Sequence, residues 1–378
     1  MGILIGADLV PSKTNEVLFI EGDSLTLLGD ELLGIMKKAD YRIFNLEVPL
    51  TDEETPIEKC GPNLIASTKT IKGYMSIGAD ILTLANNHIW DQGLQGLIST
   101  RKMLENGNIA YIGVGNTCED AAKPYIFEYA NKKVGIYACA EHEFSIVDNN
   151  KPGANPFDSL ESPDHVEMLK KQCDYVIVLY HGGKEHYRYP SPYLQKVCRK
   201  FVDKGADLVV CQHSHCIGCE EKYKVGTIVY GQGNFLFDDS ENECWNTSLL
   251  IKLDDNMNVS YIPLVRNGNT VRLASENDSA IILQGFTDRS KEIKQDGFVE
   301  KKYKEFADSM VEYYLLVMSG IKRNFMFKVF NKLSKGYFLK WLLKRKYTFD
   351  KKLVLQNVIE CDAHRELLMA GLKGKSYV

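Results

Sequence analysis

The chain has 378 residues, of which 44% are hydrophobic and 25% charged, and a formal net charge of -4; this profile is typical of a soluble globular protein with one large domain and an appendage. A transmembrane helix is not expected because no run of about 20 apolar residues occurs, and the first residues, MGILIGADL, lack the basic region of a signal peptide. The ten cysteines are scattered in mostly apolar contexts, which indicates buried free thiols in a reducing cytosol. We therefore expect a cytoplasmic protein, with a peripheral membrane location as the alternative.

Strands and helices alternate along roughly the first 240 residues. The predicted strands span residues 3–10, 41–46, 81–85, 109–114, 125–129, 133–138, 175–180, 208–211 and 227–231. The predicted helices span residues 25–38, 70–77, 94–106, 163–171 and 192–204, and a long polar loop covers residues 51–63. Residues 247–274 alternate apolar and polar, which predicts an antiparallel meander. This order favours a layered α/β protein with mixed sheets.

The C-terminal quarter differs in charge, since residues 291–378 hold 19 Lys and Arg against 10 Asp and Glu. We predict one domain over residues 1–285 and a basic helical region over 286–378. Residues 313–349 contain no acidic residue and interleave aromatic and aliphatic side chains with Lys and Arg. They fit an anionic membrane surface or a polymer-synthase partner. A helical cap on the domain is the favoured alternative, because residues 353–372 have ordinary amphipathic spacing; nucleic acid is not an expected partner, as no groove-reading motif occurs.

Polar side chains follow five of the apolar runs, at the point where each predicted strand ends. In an open α/β sheet, ligand sites form beyond the carboxyl ends of the strands. Carboxylate, amide and imidazole groups are the ligands of divalent transition metals. The sequence therefore predicts a metal-centred hydrolase site. The residues at these ends are Asp8, Glu47, Asn87, His88, His181, His213 and His215.

Seven motifs occur in the order GADLVP, NLEVPLTD, KCGPNL, LANNHIWDQG, YHGGKEHY, QHSH and GQGNFLFD. This series resembles the CapA-type capsule-synthesis proteins of bacteria, named for poly-γ-glutamate capsule production, which in turn resemble the calcineurin-like metallophosphoesterases. The resemblance runs from about residue 2 to residue 240. It implies a four-layer αββα sandwich, with two mixed sheets facing each other, helices outside, and a C-terminal helical appendage.

The resemblance also implies a role for each residue at the strand ends. One metal would be held by Asp8 and His215, and the other by Asn87, His181 and His213. Glu47 would bridge the two metal positions. These would hold one or two divalent ions of Mn, Fe or Zn. His88 would be the catalytic acid or would stabilise an oxyanion.

The chain departs from the metallophosphoesterase pattern at two positions. Val10 stands where that pattern has a histidine two residues after the first aspartate, and the bridging acid is Glu47 rather than an aspartate. The first metal site would therefore be poorer in ligands than in those enzymes.

Five further residues are candidates for contact with substrate: Lys59, Glu185, Tyr187, Arg188 and Asn234. Lys59 and Arg188 would neutralise a polyanion, and the loop around Glu185 would be mobile. His186 in this loop is the weaker candidate, and Asp238 is expected to shape the loop beside the metals together with Asn234.

Three functions are consistent with these residues. The leading one is a metal-dependent hydrolase, or a transferase working through the same activated oxygen, that acts on an amide or phosphoester of an anionic polymer. The second is a non-catalytic assembly factor of polymer biosynthesis that docks by its basic C-terminal helices. The third is a phosphoesterase of small molecules.

Overall fold

The computed structural model describes residues 2–237, 240–321 and 325–373. Its strands are β1 Ile3–Asp8, β2 Tyr41–Asn45, β3 Ile81–Thr83, β4 Ala110–Ile112, β5 Val114–Gly115, β6 Tyr125–Tyr129, β7 Lys132–Ala140, β8 Gly153–Ala154, β9 Tyr175–His181, β10 Leu208–Gln212, β11 Glu220–Tyr223, β12 Gly226–Tyr230, β13 Thr247–Leu253, β14 Val259–Asn267 and β15 Thr270–Leu273. Its helices are α1 Glu16–Glu21, α2 Ser24–Lys38, α3 Ile71–Ile77, α4 Gly93–Asn106, α5 Cys118–Ala121, α6 Glu161–Lys170, α7 Pro192–Asp203, α8 Glu276–Glu292, α9 Phe298–Met318, α10 Phe325–Leu333, α11 Tyr337–Lys346, α12 Phe349–Glu360 and α13 Asp362–Lys373.

Two large mixed sheets form within the described residues. The first has the order β15-β14-β13-β1-β2-β3-β4, and the second has the order β11-β12-β10-β9-β7-β6. In the first sheet β1 to β4 run parallel, and the meander β13 to β15 adds antiparallel strands. In the second sheet β7, β9, β10 and β12 run parallel between antiparallel edge strands. The parallel strands of each sheet thus bring their carboxyl ends to one edge.

The side chains alternate along β1 between two hydrophobic cores, as the period of two in a strand requires. Ile3 and Ile5 pack with residues of the second sheet such as Ile177 and Val210, so the two sheets face each other. Leu4 instead packs among the helices outside the first sheet. Helices α6 and α7 cover the outer face of the second sheet through a third core. The layers are therefore helix, sheet, sheet and helix, which confirms the predicted αββα sandwich.

Two compact units divide the chain, residues 1–301 and 302–378. The first unit contains α8, which packs on the sheets through Phe286. The second unit has a small core of its own, formed by Leu315, Leu316, Phe327 and Leu343. The sequence-based division between residues 285 and 286 stays a prediction, and the first unit runs on beyond it. Among the described residues, none of the helices has the length and apolar character needed to cross a membrane.

Most predicted elements are present, with local differences. The turn between β6 and β7 uses Ala130 and Asn131, both at positive φ. The amphipathic segment at 353–372 is divided at Cys361, whose extended backbone ends α12 before α13 begins. Strand β11 was not predicted because its charged sequence, EEKY, has no apolar run; it pairs antiparallel with β12.

Candidate metal centre

The first sheet contributes two carboxylates to its carboxyl edge. Asp8 is the last residue of β1 and pairs in register with Asn45, the last residue of β2. Asn45 Nδ2 donates a hydrogen bond of 2.7 Å to Asp8 Oδ1, which fixes that carboxylate. Glu47 follows two residues after β2 and is fully buried. Both acids thus lie at the ends of adjacent parallel strands, as predicted.

The second sheet contributes three imidazoles to the same region. His181 ends β9, and the strand register sets it beside Gln212, the last residue of β10. His213 and His215 follow with φ values of 77° and 52°. A non-glycine residue at positive φ costs about 1 kcal/mol or more and is often found at functional sites. Here the turn directs the side chains of His213 and His215 back toward the sheet edge.

The ligand atoms of one predicted metal converge around His181. Its Nε2 lies 3.1 Å from His213 Nδ1, 3.0 Å from Asn87 Oδ1 and 3.3 Å from Glu47 Oε1. The other ring nitrogen of His181, Nδ1, lies 3.3 Å from Asn45 Nδ2. Two nitrogens and two oxygens therefore face a common point, as the donor atoms of a transition-metal site do.

A second group shares one residue with the first. Asp8, Glu47 and His215 each offer a ligand atom within 4.8 Å of the others, and Glu47, His181 and His213 meet the same limit. His215 Nδ1 lies 3.4 Å from Asp8 Oδ2. Glu47 therefore occupies the bridging position between two adjacent groups.

The buried carboxylates fit cations because several of their oxygens lack hydrogen-bond donors. In the described part of the chain, both Glu47 oxygens and Asp8 Oδ2 are buried without a hydrogen bond. The 3.3 Å approach of His181 to Glu47 is thus a charge contact without hydrogen-bond geometry. An uncompensated buried ion costs several kcal/mol, so two of them in contact call for positive charge.

The pKa shifts report the same concentration of negative charge. Burial and the neighbouring Glu47 raise the pKa of Asp8. Burial would also raise the pKa of Glu47, but the imidazoles of His181 and His215 outweigh it and hold that pKa below its usual range. For His215, burial is outweighed by Asp8 and Glu47, which raise its pKa to about 9.

His88 is oriented by a buried ion pair. Asp91 Oδ2 lies 2.6 Å from His88 Nδ1, and Asp91 Oδ1 accepts a very short bond from Lys59 Nζ. The Lys59 side chain is 3% exposed and that of Asp91 is fully buried. A carboxylate can only accept a hydrogen bond, so this contact places the proton of His88 at Nδ1 and leaves Nε2 as the nitrogen for proton transfer. Lys59, expected to meet substrate, is instead enclosed beneath His88.

The remaining predicted contacts surround the site at different depths. Asn234 is buried, and its Oδ1 lies 2.8 Å from His215 Nδ1, so it orients this histidine. Arg188 is partly exposed, donates to Ile217 O at 3.1 Å and lies 3.6 Å from a Glu243 carboxylate oxygen. Glu185 and Tyr187 are half-buried in the same loop. The position of Asp238 lies outside the described residues.

Trp245 is a residue of the site that the sequence did not indicate. Its ring lies 4.6 Å from the ring of His215, and its Nε1 donates to His186 Nε2 at 2.9 Å. His186, at φ 60°, is held by its backbone N–H bond of 2.8 Å to Ser214 O. Together Trp245 and His186 form a wall beside His215.

Comparison with known proteins identifies the family of the chain. Residues 22–239 match the family described as Bacterial capsule synthesis protein PGA_cap. The chain belongs to this family. The matched region contains the candidate ligands except Asp8, and it confirms the family predicted from the motifs.

Two curated relatives are similar to part of the chain. The capsule biosynthesis protein CapA of Bacillus anthracis is 31% identical over 225 residues, which cover 57% of this chain and 54% of the relative. The PGA biosynthesis protein CapA of Bacillus subtilis is 27% identical over 221 residues, which cover 57% of this chain and 58% of the relative. The chain thus spans little more than half the length of the curated relatives it matches.

Solved structures show more distant similarity. A putative 5'-nucleotidase from Staphylococcus aureus aligns with a TM-score of 0.41 at 13% identity, over 75% of this chain and 57% of its own. A novel phosphatase from Mycoplasma pneumoniae aligns with a TM-score of 0.44 at 16% identity, over 70% of this chain and 93% of its own. At these values neither similarity bears on the activity of the chain.

Proposed function

We propose that this capsule-synthesis family member is a metal-dependent hydrolase of cell-surface polymer metabolism. Its substrate would be an anionic polymer such as poly-γ-glutamate. The enzyme would cleave an amide or phosphoester bond of this polymer by hydrolysis, or would transfer the released group to another acceptor. The observation that carries the proposal is the shared Glu47, whose two oxygens lack donors and which belongs to both ligand groups. The names of the two relatives, capsule biosynthesis protein and PGA biosynthesis protein, support the polymer class.

The residues around Glu47 have separate tasks in this proposal. One or two Mn, Fe or Zn ions held by Asp8, Glu47, His215 and by Asn87, His181, His213 would polarise the scissile bond and lower the pKa of a water molecule toward neutrality. Asn45 and Asn234 hold Asp8 and His215 in the orientations that ligation needs, as outer hydrogen-bond partners do.

His88 is the proton donor for the leaving group. Asp91 accepts its Nδ1 proton, so the opposite nitrogen can hold or give up a proton on the side of the ligands. Lys59 holds Asp91 in place through their ion pair, which in turn keeps the ring of His88 in one orientation. Arg188, partly exposed beside the wall of Trp245 and His186, supplies positive charge for an anionic chain.

Metal content and turnover test the proposal together. Wild-type protein, His213→Ala and the matched control His364→Ala, an exposed histidine on α13, would be measured by mass spectrometry for bound metal. Each would then be assayed against γ-linked glutamate oligomers and against phosphate mono- and diesters. We expect one or two equivalents of metal and turnover in the wild type and the control, with both lost in His213→Ala. Fully loaded wild-type protein that turns over neither bond class would contradict the proposal.

Val10 favours a second candidate function, a non-catalytic assembly factor. Its side chain is buried in the apolar core behind the first sheet, so this position offers no ligand to the group around Asp8. The group then has three protein ligands, one fewer than a closed structural site has, so its metal would be weakly held or absent. Polymer production that survives His213→Ala in the producing cell, with the variant present at normal levels, would support this candidate over the hydrolase.

A further inference from the structure

The second unit exposes large apolar side chains on α10 and α11. Phe330 is 50% exposed, Leu333 75%, Tyr337 74% and Trp341 55%. Water-exposed aromatic and aliphatic residues are ordinary when single, but a cluster of them marks an interaction surface. These side chains are not exposed because the second unit lacks a hydrophobic core, since the unit buries a separate core that includes Leu343.

These side chains form a continuous surface. The ring of Phe330 lies 6.0 Å from that of Phe338, and Phe338 stacks on Trp341 with ring centres 6.3 Å apart. Along α11, Tyr337, Trp341 and Arg345 follow one another at spacings of four, so they lie along one face of the helix. The Arg345 guanidinium lies 5.5 Å from the centre of the Trp341 ring.

Positive charge surrounds this surface. Residues 313–349 contain nine Lys and Arg and no Asp or Glu. Lys332 on α10 and Lys340 and Lys344 on α11 are exposed, and the last turn of α11 ends in Lys344, Arg345 and Lys346. Lys340 and Lys344 are one turn apart and lie along the same side of the Trp341 face.

We propose that α10 and α11 bind the surface of an anionic lipid bilayer. Phe330, Leu333 and Trp341 would enter the boundary between headgroups and acyl chains, where aromatic rings are favoured, while the lysines would contact acidic headgroups. A soluble polyanion or a nucleic acid would satisfy the lysines and leave these apolar side chains in water. The combination of exposed lysines and exposed apolar side chains on adjacent helices therefore favours a membrane. This inference does not depend on the hydrolase proposal.

Vesicle binding by the full chain tests the inference. Sedimentation with vesicles of phosphatidylcholine alone and of phosphatidylcholine with about one third phosphatidylglycerol would compare the wild type with three variants. Lys340→Ala with Lys344→Ala should weaken binding to the acidic vesicles about 10- to 30-fold, as expected for two interfacial lysines. Trp341→Ala with Leu333→Ala should weaken it to a similar extent. The matched control, Lys102→Ala with Lys196→Ala on exposed positions of α4 and α7, should bind like the wild type.

Two further readouts separate the alternatives. Brominated acyl chains should quench tryptophan fluorescence in the wild type, and this quenching should be absent in Trp341→Phe while far-UV circular dichroism stays unchanged. Lack of binding to acidic vesicles would overturn the inference and leave a protein partner. Binding that needs Lys340 and Lys344 but not Trp341 or Leu333 would also overturn it, in favour of a soluble polyanion.

Discussion

At the residue scale, the Glu47 carboxylate depends on positive charge from the groups around it. The fully buried carboxylate has no hydrogen-bond donor among the described residues and is close enough to Asp8 to raise the pKa of that acid. Without a cation, the imidazoles of His181 and His215 supply this charge and hold the pKa of Glu47 below its usual range. A bound cation would supply it instead, in direct contact with the carboxylate.

Glu47→Gln should separate these two sources of charge. In chelator the variant should be less stable than the wild type, because the imidazoles of His181 and His215 lose the carboxylate that balances them. The wild type should gain about 2.7 kcal/mol at a metal concentration 100 times Kd, and the variant should lose most of this gain. Thermal unfolding with and without metal measures both, with the exposed Glu143→Gln as the control. An equal metal-dependent rise in Tm for Glu47→Gln would show that Glu47 is not a ligand.

The ion pair between Lys59 and Asp91 is a second position where one residue depends on another. Lys59→Met leaves the buried Asp91 with only His88 and the Leu64 backbone N–H as partners, which should cost about 3 kcal/mol, the low end for a broken buried ion pair. Asp91→Asn leaves the buried Lys59 ammonium without its carboxylate partner. The double variant removes both charges and should cost clearly less than the sum of the two single changes. Urea unfolding of the four proteins measures this coupling; additive costs would mean that the pair is not formed.

At the scale of elements, the sequence indicates the site well wherever a residue directly ends an apolar run. Asp8 and His181 are the last residues of their strands, so periodicity alone predicted where they lie. Trp245 could not be found in this way, because it comes from a short turn thirty residues after His215 and meets it only through tertiary packing. The burial of Lys59 likewise depends on a loop folding over Asp91, and no local pattern encodes that.

The contact between α1 and α3 behind the first sheet gives a prediction at the same scale. A Cβ added at Gly73 in α3 would lie 2.4 Å from Phe19 Cδ1 and 2.7 Å from Phe19 Cα, so Gly73→Ala should cost about 1–3 kcal/mol. Gly34 in α2 has nothing within 4 Å of such a Cβ, so Gly34→Ala should stabilise by about 1 kcal/mol through helix propensity. Urea unfolding of both variants checks the signs, and a neutral Gly73→Ala would show that the two helices are packed less closely.

At the scale of the whole molecule, the site depends on elements far apart in the chain. The ligands come from both sheets, and the cores that hold those sheets extend into α8 and the start of α9. Arg289 Nε donates to Gly218 O at 2.7 Å, and Ser290 Oγ accepts from the backbone of Glu220 at 2.7 Å, both in the segment after the candidate ligands of β10. The part of the chain just beyond residue 285 therefore supports the second sheet.

Two truncations distinguish the unit boundary in the structure from the division predicted by sequence. A chain ending at Lys301 keeps Phe286, Ile293 and Val299, which are 4%, 5% and 2% exposed, whereas a chain ending at Gly285 removes all three. Loss of three buried apolar side chains costs about 5–9 kcal/mol, against a total stability of about 5–15 kcal/mol for a typical domain. We expect the longer chain to unfold cooperatively in urea and the shorter one to be largely unfolded. Equal stability of the two would show that the end of α8 does not support the sheets and that the division at 285 is correct.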